Sequence, residues 1–170
     1  MSKDVFVSRK LSEFISITEI LEMNGYCYTY RVLKQEIIEA NRFISEKLQV
    51  PLATKLFSYQ KLRIVEDIPR SIETIYIEYD RVSGIENMHL QDTSLYSVLK
   101  NEYNYLVRRN EEEIRIVYAN QNEAQLLGVP NDSEVVMVEG LSYIDTVKPL
   151  EYFQIIALPS FFKFTEVNKQ

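Results

Sequence analysis

The chain has 170 residues, 46% hydrophobic and 26% charged, enough to bury the core of one ordinary domain with no disordered block. A net charge of −6 makes the chain, taken alone, a poor ligand for a polyanion, since duplex binding needs a clustered excess of Lys and Arg, and the single cysteine, Cys27, excludes an intramolecular disulfide. With His89 as the only histidine there is no spaced ligand set for zinc, and no apolar run approaches the about 18 residues of a membrane span, so the expectation is a cytoplasmic domain with no cofactor.

Residues 1–10 read as a polar lead-in and residues 11–170 as the domain. Ser16-Ile17-Thr18-Glu19 has the S-x-x-E spacing of a capping box, which predicts a helix to about residue 24 with Gly25 as its stop. Tyr26, Tyr28, Tyr30 and Val32 then fall at every second position, the period of a strand with one aromatic face. That face is either a ligand-stacking wall or a sheet surface packed on helices. Over residues 39–48, Ala40, Phe43, Ile44 and Leu48 keep the three-and-four spacing of an amphipathic helix, closed off by Pro51.

Strands at 55–65 and 70–79, joined by a turn at Glu66-Asp67, form a hairpin in which Ile72, Thr74, Tyr76 and Glu78 oppose Glu73, Ile75, Ile77 and Tyr79. Asp92-Thr93-Ser94 supplies N-cap chemistry for a helix through Leu95, Tyr96, Val98 and Leu99 to about residue 102. A strand over 106–118, a short helix over 120–127, and strands at 134–144 and 150–158 with Asp145-Thr146 in the turn complete the chain. The order of hairpins and helices favours an α+β fold, an antiparallel sheet with helices on one side.

Leu48-Gln49-Val50-Pro51 recurs as Leu127-Gly128-Val129-Pro130, an offset of 79 (127 − 48). The offset carries Leu62, Ile64, Val65 and Glu66 onto Leu141, Tyr143, Ile144 and Asp145, and each copy soon reaches a proline and an acid, Pro69 and Glu73 or Pro149 and Glu151. Such an internal duplication implies two similar half-domains, with a seam between them where a small ligand can sit.

Chemistry is sparse. None of the four glycines falls in a nucleotide-cradle pattern, and Ser94 lacks a nucleophile-elbow context, with His89 five positions away in an expected loop. Lys61 and Arg63 stand two apart on one strand, so both heads point to one face and can share an anion, while Leu62 points the other way. Glu73 on the next strand can pair with them, which leaves a salt-bridged surface strand and an anion site equally open. An exposed helix start at Ser16, Ile17 and Thr18 would offer amides to the same kind of ligand. Glu73 and Glu151 are either a carboxylate pair or two exposed acids.

The chain resembles the effector-binding UTRA domain of GntR-type transcription regulators of the HutC subfamily. The resemblance rests on Ser16-Ile17-Thr18-Glu19 with Met23 and Gly25, Lys61-Leu62-Arg63 with Pro69 and Glu73, and Ser94-Leu95-Tyr96. It continues through Leu126-Leu127-Gly128-Val129-Pro130 and Pro149-Leu150-Glu151-Tyr152. It implies a chorismate-lyase-like fold without lyase activity, a homodimer, and operator DNA bound only through an upstream winged helix-turn-helix domain to which residues 1–10 would lead. It also implies a small anionic metabolite, often a sugar phosphate, held by Ser16, Ile17, Thr18, Lys61, Arg63, Ser94 and Tyr96, with Glu73 and Glu151 on its polar remainder. Ala157 and Ser160-Phe161-Phe162 depart from the family pattern, and Lys61 stands where the family has arginine. A lyase-like enzyme acting on a carboxylate and a dimerisation module with a degenerate pocket are the alternatives.

Overall fold

The computed structural model describes residues 4–145 and 147–170. Its strands are β1 (Val7–Lys10), β2 (Tyr28–Glu39), β3 (Lys55–Val65), β4 (Ile68–Glu78), β5 (Arg109–Tyr118), β6 (Glu134–Tyr143), β7 (Glu151–Ala157) and β8 (Phe162–Thr165). The helices are α1 (Ile17–Met23), α2 (Arg42–Leu48), α3 (Leu95–Tyr103) and α4 (Gln121–Leu127). Six strands make an antiparallel sheet in the order β2-β3-β4-β7-β6-β5, and β1 pairs with β8 in a parallel ribbon of its own. This is the expected α+β class.

Period-two alternation sorts each strand between two cores. On β3, Phe57, Tyr59 and Val65 enter a core that also holds Ile17, Ile20 and Leu21 of α1 and Leu95, Val98 and Leu99 of α3. The intervening Leu56 packs with Ile44 and Leu48 of α2, and Leu62 with Ala124 and Leu127 of α4. Helices therefore cover both faces, which corrects the expectation of one covered side. Burial explains why: β3, β6 and β7 carry apolar side chains at successive positions, as in Val135-Val136-Met137-Val138, and a sheet so built cannot leave a face in water.

The two halves repeat in detail. Asn41 caps α2 by accepting from the Ile44 amide at 2.9 Å, and Asn120 caps α4 by accepting from Glu123 at 2.8 Å. Both helices end in a left-handed residue, Gln49 (φ 56°) and Gly128 (φ 69°), and the following turns repeat the left-handed step at Ala53 and Asp132. The Ala40 amide bonds to the Thr54 carbonyl and the Ala119 amide to the Ser133 carbonyl, each at 2.8 Å.

Several boundaries move. The helix expected from residue 39 starts at Arg42, because Ala40 still pairs across to Thr54 and only Asn41 breaks the strand. β5 begins at Arg109, not at 106, and Ser94 stands at the N-cap of α3 without a side-chain capping bond. Val7–Lys10, expected in a polar lead-in, forms β1, with Val5 and Val7 buried. Residues 1–3 of that lead-in, and Thr146 of the expected Asp145-Thr146 turn, lie outside the described residues. Phe161, in the segment that departs from the family pattern, is fully buried, and Phe162 opens β8 opposite Val7.

Candidate functional site

Where the α1/α3 core meets the upper half of β3, its lining turns from apolar to charged. Lys61 and Arg63 are 3% and 2% exposed, on the same face as Phe57 and Tyr59. Arg63 Nη2 donates to Glu73 Oε2 at 2.8 Å and Nη1 to Ser71 Oγ at 3.1 Å; Lys61 Nζ lies 3.7 Å from the same Glu73 oxygen. The Tyr30 ring covers both cations, 4.3 Å from Lys61 Nζ and 5.4 Å from the Arg63 guanidinium carbon, and the Tyr30 hydroxyl is bonded to Thr18 Oγ1. Burial alone would raise the Glu73 pKa, but Lys61 and Arg63 beside it hold it below the usual carboxylate range.

A second acid sits across the same space in a different state. Glu151, 1% exposed, accepts at Oε1 from Ser142 Oγ (2.9 Å) and from the Tyr96 hydroxyl (3.1 Å). Desolvation, and then the nearby Glu73 charge, push its pKa up to about 7. The Tyr96 hydroxyl is held well above its ordinary value by burial and by Glu151.

These groups surround a cavity of about 50 Å³. Ser16, Ile17 and Thr18 line it from the start of α1, Lys61, Arg63 and Glu73 from β3 and β4, Glu151 from β7, and Ser94 and Tyr96 from the start of α3. All nine residues singled out in the sequence are thus brought together. The start of α1, expected to be exposed, is buried at Ile17 and Thr18, because Ile17 enters the core and Thr18 is tied to Tyr30. Glu73 and Glu151, for which exposed acids were one reading, are both largely buried, with the Glu73 side chain 14% exposed.

Nine further lining residues escaped the sequence, among them Phe14, Arg9, Asn110 and Glu112. Phe14 meets Tyr96 edge to face at 6.0 Å, between this cavity and an outer cleft of about 430 Å³ that shares Phe14, Ser16, Thr18, Ser94 and Tyr96. Arg9 from β1 reaches in with a side chain 9% exposed and donates through Nη2 to Glu112 Oε1 at 2.7 Å, an oxygen that also accepts from Asn110 at 2.9 Å. No local pattern could have found that pair, since its members are 103 positions apart. Among the described residues four buried side-chain atoms lack a hydrogen-bond partner, and three of them, Arg9 Nη1, Arg63 Nε and Glu151 Oε2, belong to residues that line this cavity.

The model of the UTRA domain family matches residues 23–163. The chain is 23% identical over 144 residues to an uncharacterized HTH-type transcriptional regulator, YurK of Bacillus subtilis, covering 85% of this chain and 60% of that one. It spans about three fifths of the length of the curated relatives it matches. Its fold matches the crystal structure of PhnF from Mycobacterium smegmatis with a TM-score of 0.87 at 17% identity, over 96% of this chain and 72% of that one. It also matches the separate effector domain of PhnF with a TM-score of 0.84 at 17% identity, over 91% and 95% of the two chains.

Proposed function

This chain belongs to the UTRA domain family, and on that premise we propose that it is the small-molecule sensing domain of a GntR-type transcription regulator of the HutC kind. Its effector is an anionic metabolite, best a phosphosugar. Binding modulates operator affinity through an upstream winged helix, in a cytoplasmic homodimer; among the described residues no helix is long and apolar enough to cross a membrane.

One observation carries the reading: three of the four buried polar side-chain atoms without partners among the described residues, Arg9 Nη1, Arg63 Nε and Glu151 Oε2, belong to residues that line a single cavity. Buried polar groups are nearly always satisfied, and concentrated exceptions point to a ligand that satisfies them. Arg63 and Lys61 take the phosphate, and Glu151 takes a hydroxyl of the sugar. A space of about 50 Å³ holds a few waters at most, so uptake parts Phe14 from Tyr96 and joins the cavity to the outer cleft. That motion shifts the α1 and α3 starts, which is how ligand affinity is converted into a change of conformation. A tenfold change in operator affinity needs only about 1.4 kcal/mol of difference between two states, and one buried charge-assisted hydrogen bond supplies roughly 1.5–3 kcal/mol.

The homodimer has a candidate seam on β5, the sheet edge, where Ile114, Ile116 and Tyr118 are exposed at alternate positions. Antiparallel self-pairing centred on Ile114 would set Glu113 against Arg115 on both sides, a complementary register. Ile116→Glu is expected to turn the dimer into a monomer by sedimentation, with the fold intact.

The test is a thermal-shift screen against sugar phosphates, the free sugars, carboxylates and nucleotides. A ligand at about 100 times its Kd should add roughly 2.7 kcal/mol, on the order of 5 °C, and Arg63→Ala should erase the shift. No shift with any compound supports a degenerate dimerisation module, and full affinity in Arg63→Ala refutes the site. Glu151, poised near neutrality, favours one second reading, a lyase-like enzyme with Glu151 as proton donor; turnover of a carboxylate by the purified chain would establish it.

A further inference from the structure

We propose that Arg9, on β1 and outside the residues matched by the family model, is a third cationic contact for the phosphate group of the ligand, competed for by Glu112 until the ligand arrives. The proposal rests on the sensing reading above and extends it to a strand that the reading does not use. Arg9 is nine-tenths buried at its side chain and spends only Nη2 on Glu112, while Nη1, equally buried, has no partner. A guanidinium offers five donors in a fixed fork, so a buried one that satisfies a single carboxylate oxygen has capacity left for an oxyanion.

The cavity brings that capacity to where another is found. Arg9 Nη1 and Arg63 Nε are both unpartnered, both on residues that line the same space, and the Lys61 ammonium joins them. Three cations converge on two acids held close to them, Glu73 and Glu112, plus Glu151 with its pKa near neutrality. With Glu151 protonated the lining carries one positive charge in excess, which an anion would cancel. A phosphate monoester has three free oxygens for the three cationic heads, whereas a carboxylate has two, so the arrangement fits the phosphate. Glu112 is the counterweight: its Oε1 already accepts from Asn110, so the carboxylate stays satisfied when Arg9 turns part of its fork to the ligand. Because Arg9 stands on β1, which pairs with Phe162–Thr165, the ligand would also clamp the β1–β8 ribbon onto the sheet.

Calorimetric titration of the 170-residue chain with glucose 6-phosphate, fructose 6-phosphate and inorganic phosphate, with free glucose as control, tests this on four proteins: wild type, Arg9→Gln, Glu112→Gln and Arg63→Ala. Arg9→Gln should weaken the phosphate-bearing probe about tenfold, and Glu112→Gln, which frees Arg9, should tighten it several-fold. Opposite signs are the signature, since a merely structural ion pair would weaken binding from either side. Glu112→Gln in the Arg9→Gln background should gain nothing. Phosphate binding lost in Arg63→Ala but unchanged in Arg9→Gln and Glu112→Gln overturns the role of Arg9 and leaves the sensing reading standing. Wild type that takes up no probe, or Arg63→Ala that binds as wild type, overturns the sensing reading and this proposal with it.

Discussion

The two halves of the molecule share a frame and differ at the cavity. At the frame the offset of 79 holds hydrogen bond for hydrogen bond, from the Asn41 and Asn120 caps to the Thr54 and Ser133 hydroxyls that donate to Pro51 and Pro130 carbonyls at 2.7 and 2.6 Å. At the cavity the same offset carries Lys61 to Gly140 and Arg63 to Ser142, so the first half contributes cations and the second contributes none. Gly140 cannot regain a side chain: a Cβ there would come within 2.1 Å of the Glu111 carbonyl oxygen and 2.8 Å of the Phe153 ring. The acids do not occupy equivalent places: Glu73 stands opposite Lys61 where Phe153 stands opposite Gly140, and Glu151 stands opposite Ser142 where Ser71 stands opposite Arg63. Glu73, beside two cations, is held ionised, and Glu151, facing Ser142 and Tyr96, is pushed to about 7. Duplication thus supplies a shared frame, and the different residues at these four paired positions polarise the cavity.

That contrast can be broken at each acid. Glu73→Gln keeps the shape but strands Lys61 and Arg63 in the interior, and should cost about 3–5 kcal/mol of stability in urea unfolding at neutral pH. Glu151→Gln should act in the opposite direction. The folded pKa of Glu151 lies above its unfolded value of 4.5, so the wild type is most favoured below that value and loses stability as the pH rises through about 7. Above that pH the glutamine variant should be more stable by on the order of 3 kcal/mol, and its stability should vary less between pH 5 and 8. Gly140→Ala, at the equivalent of Lys61, should cost about 1–3 kcal/mol through overpacking, measured the same way, although alanine is the smallest side chain that could be added.

The same contrast marks what could be read from the sequence. Leu48-Gln49-Val50-Pro51 and its copy disclosed the frame because a helix end, a left-handed residue and a proline are local events. Lys61 and Arg63 were legible as a pair because a strand fixes which face alternate residues share. Glu73 was legible as their partner because a tight turn at Glu66 and Asp67, both at positive φ, sets the hairpin register Lys61↔Glu73. Contacts between distant segments left no such trace. β1 and β8 are four residues each and pair in parallel across nearly the whole chain, so neither shows a hairpin signal, and Arg9 looked like part of a polar lead-in. The Ala40 to Phe43 spacing mimicked a helix three residues too early, since a strand end and a helix start bury the same alanine. The exposure of the α1 start was misread because only tertiary contacts bury it, Ile17 in the core and Thr18 against Tyr30.

The polarity of the cavity is the central claim, and a crystal structure of the chain with its tightest-binding sugar phosphate tests it most directly. The phosphate is expected within hydrogen-bond distance of Arg63 Nε and Lys61 Nζ, with a sugar hydroxyl on Glu151 Oε2. A phosphate lodged at Glu151 and Ser142, or bound outside the space between α1, α3 and the sheet, would contradict it.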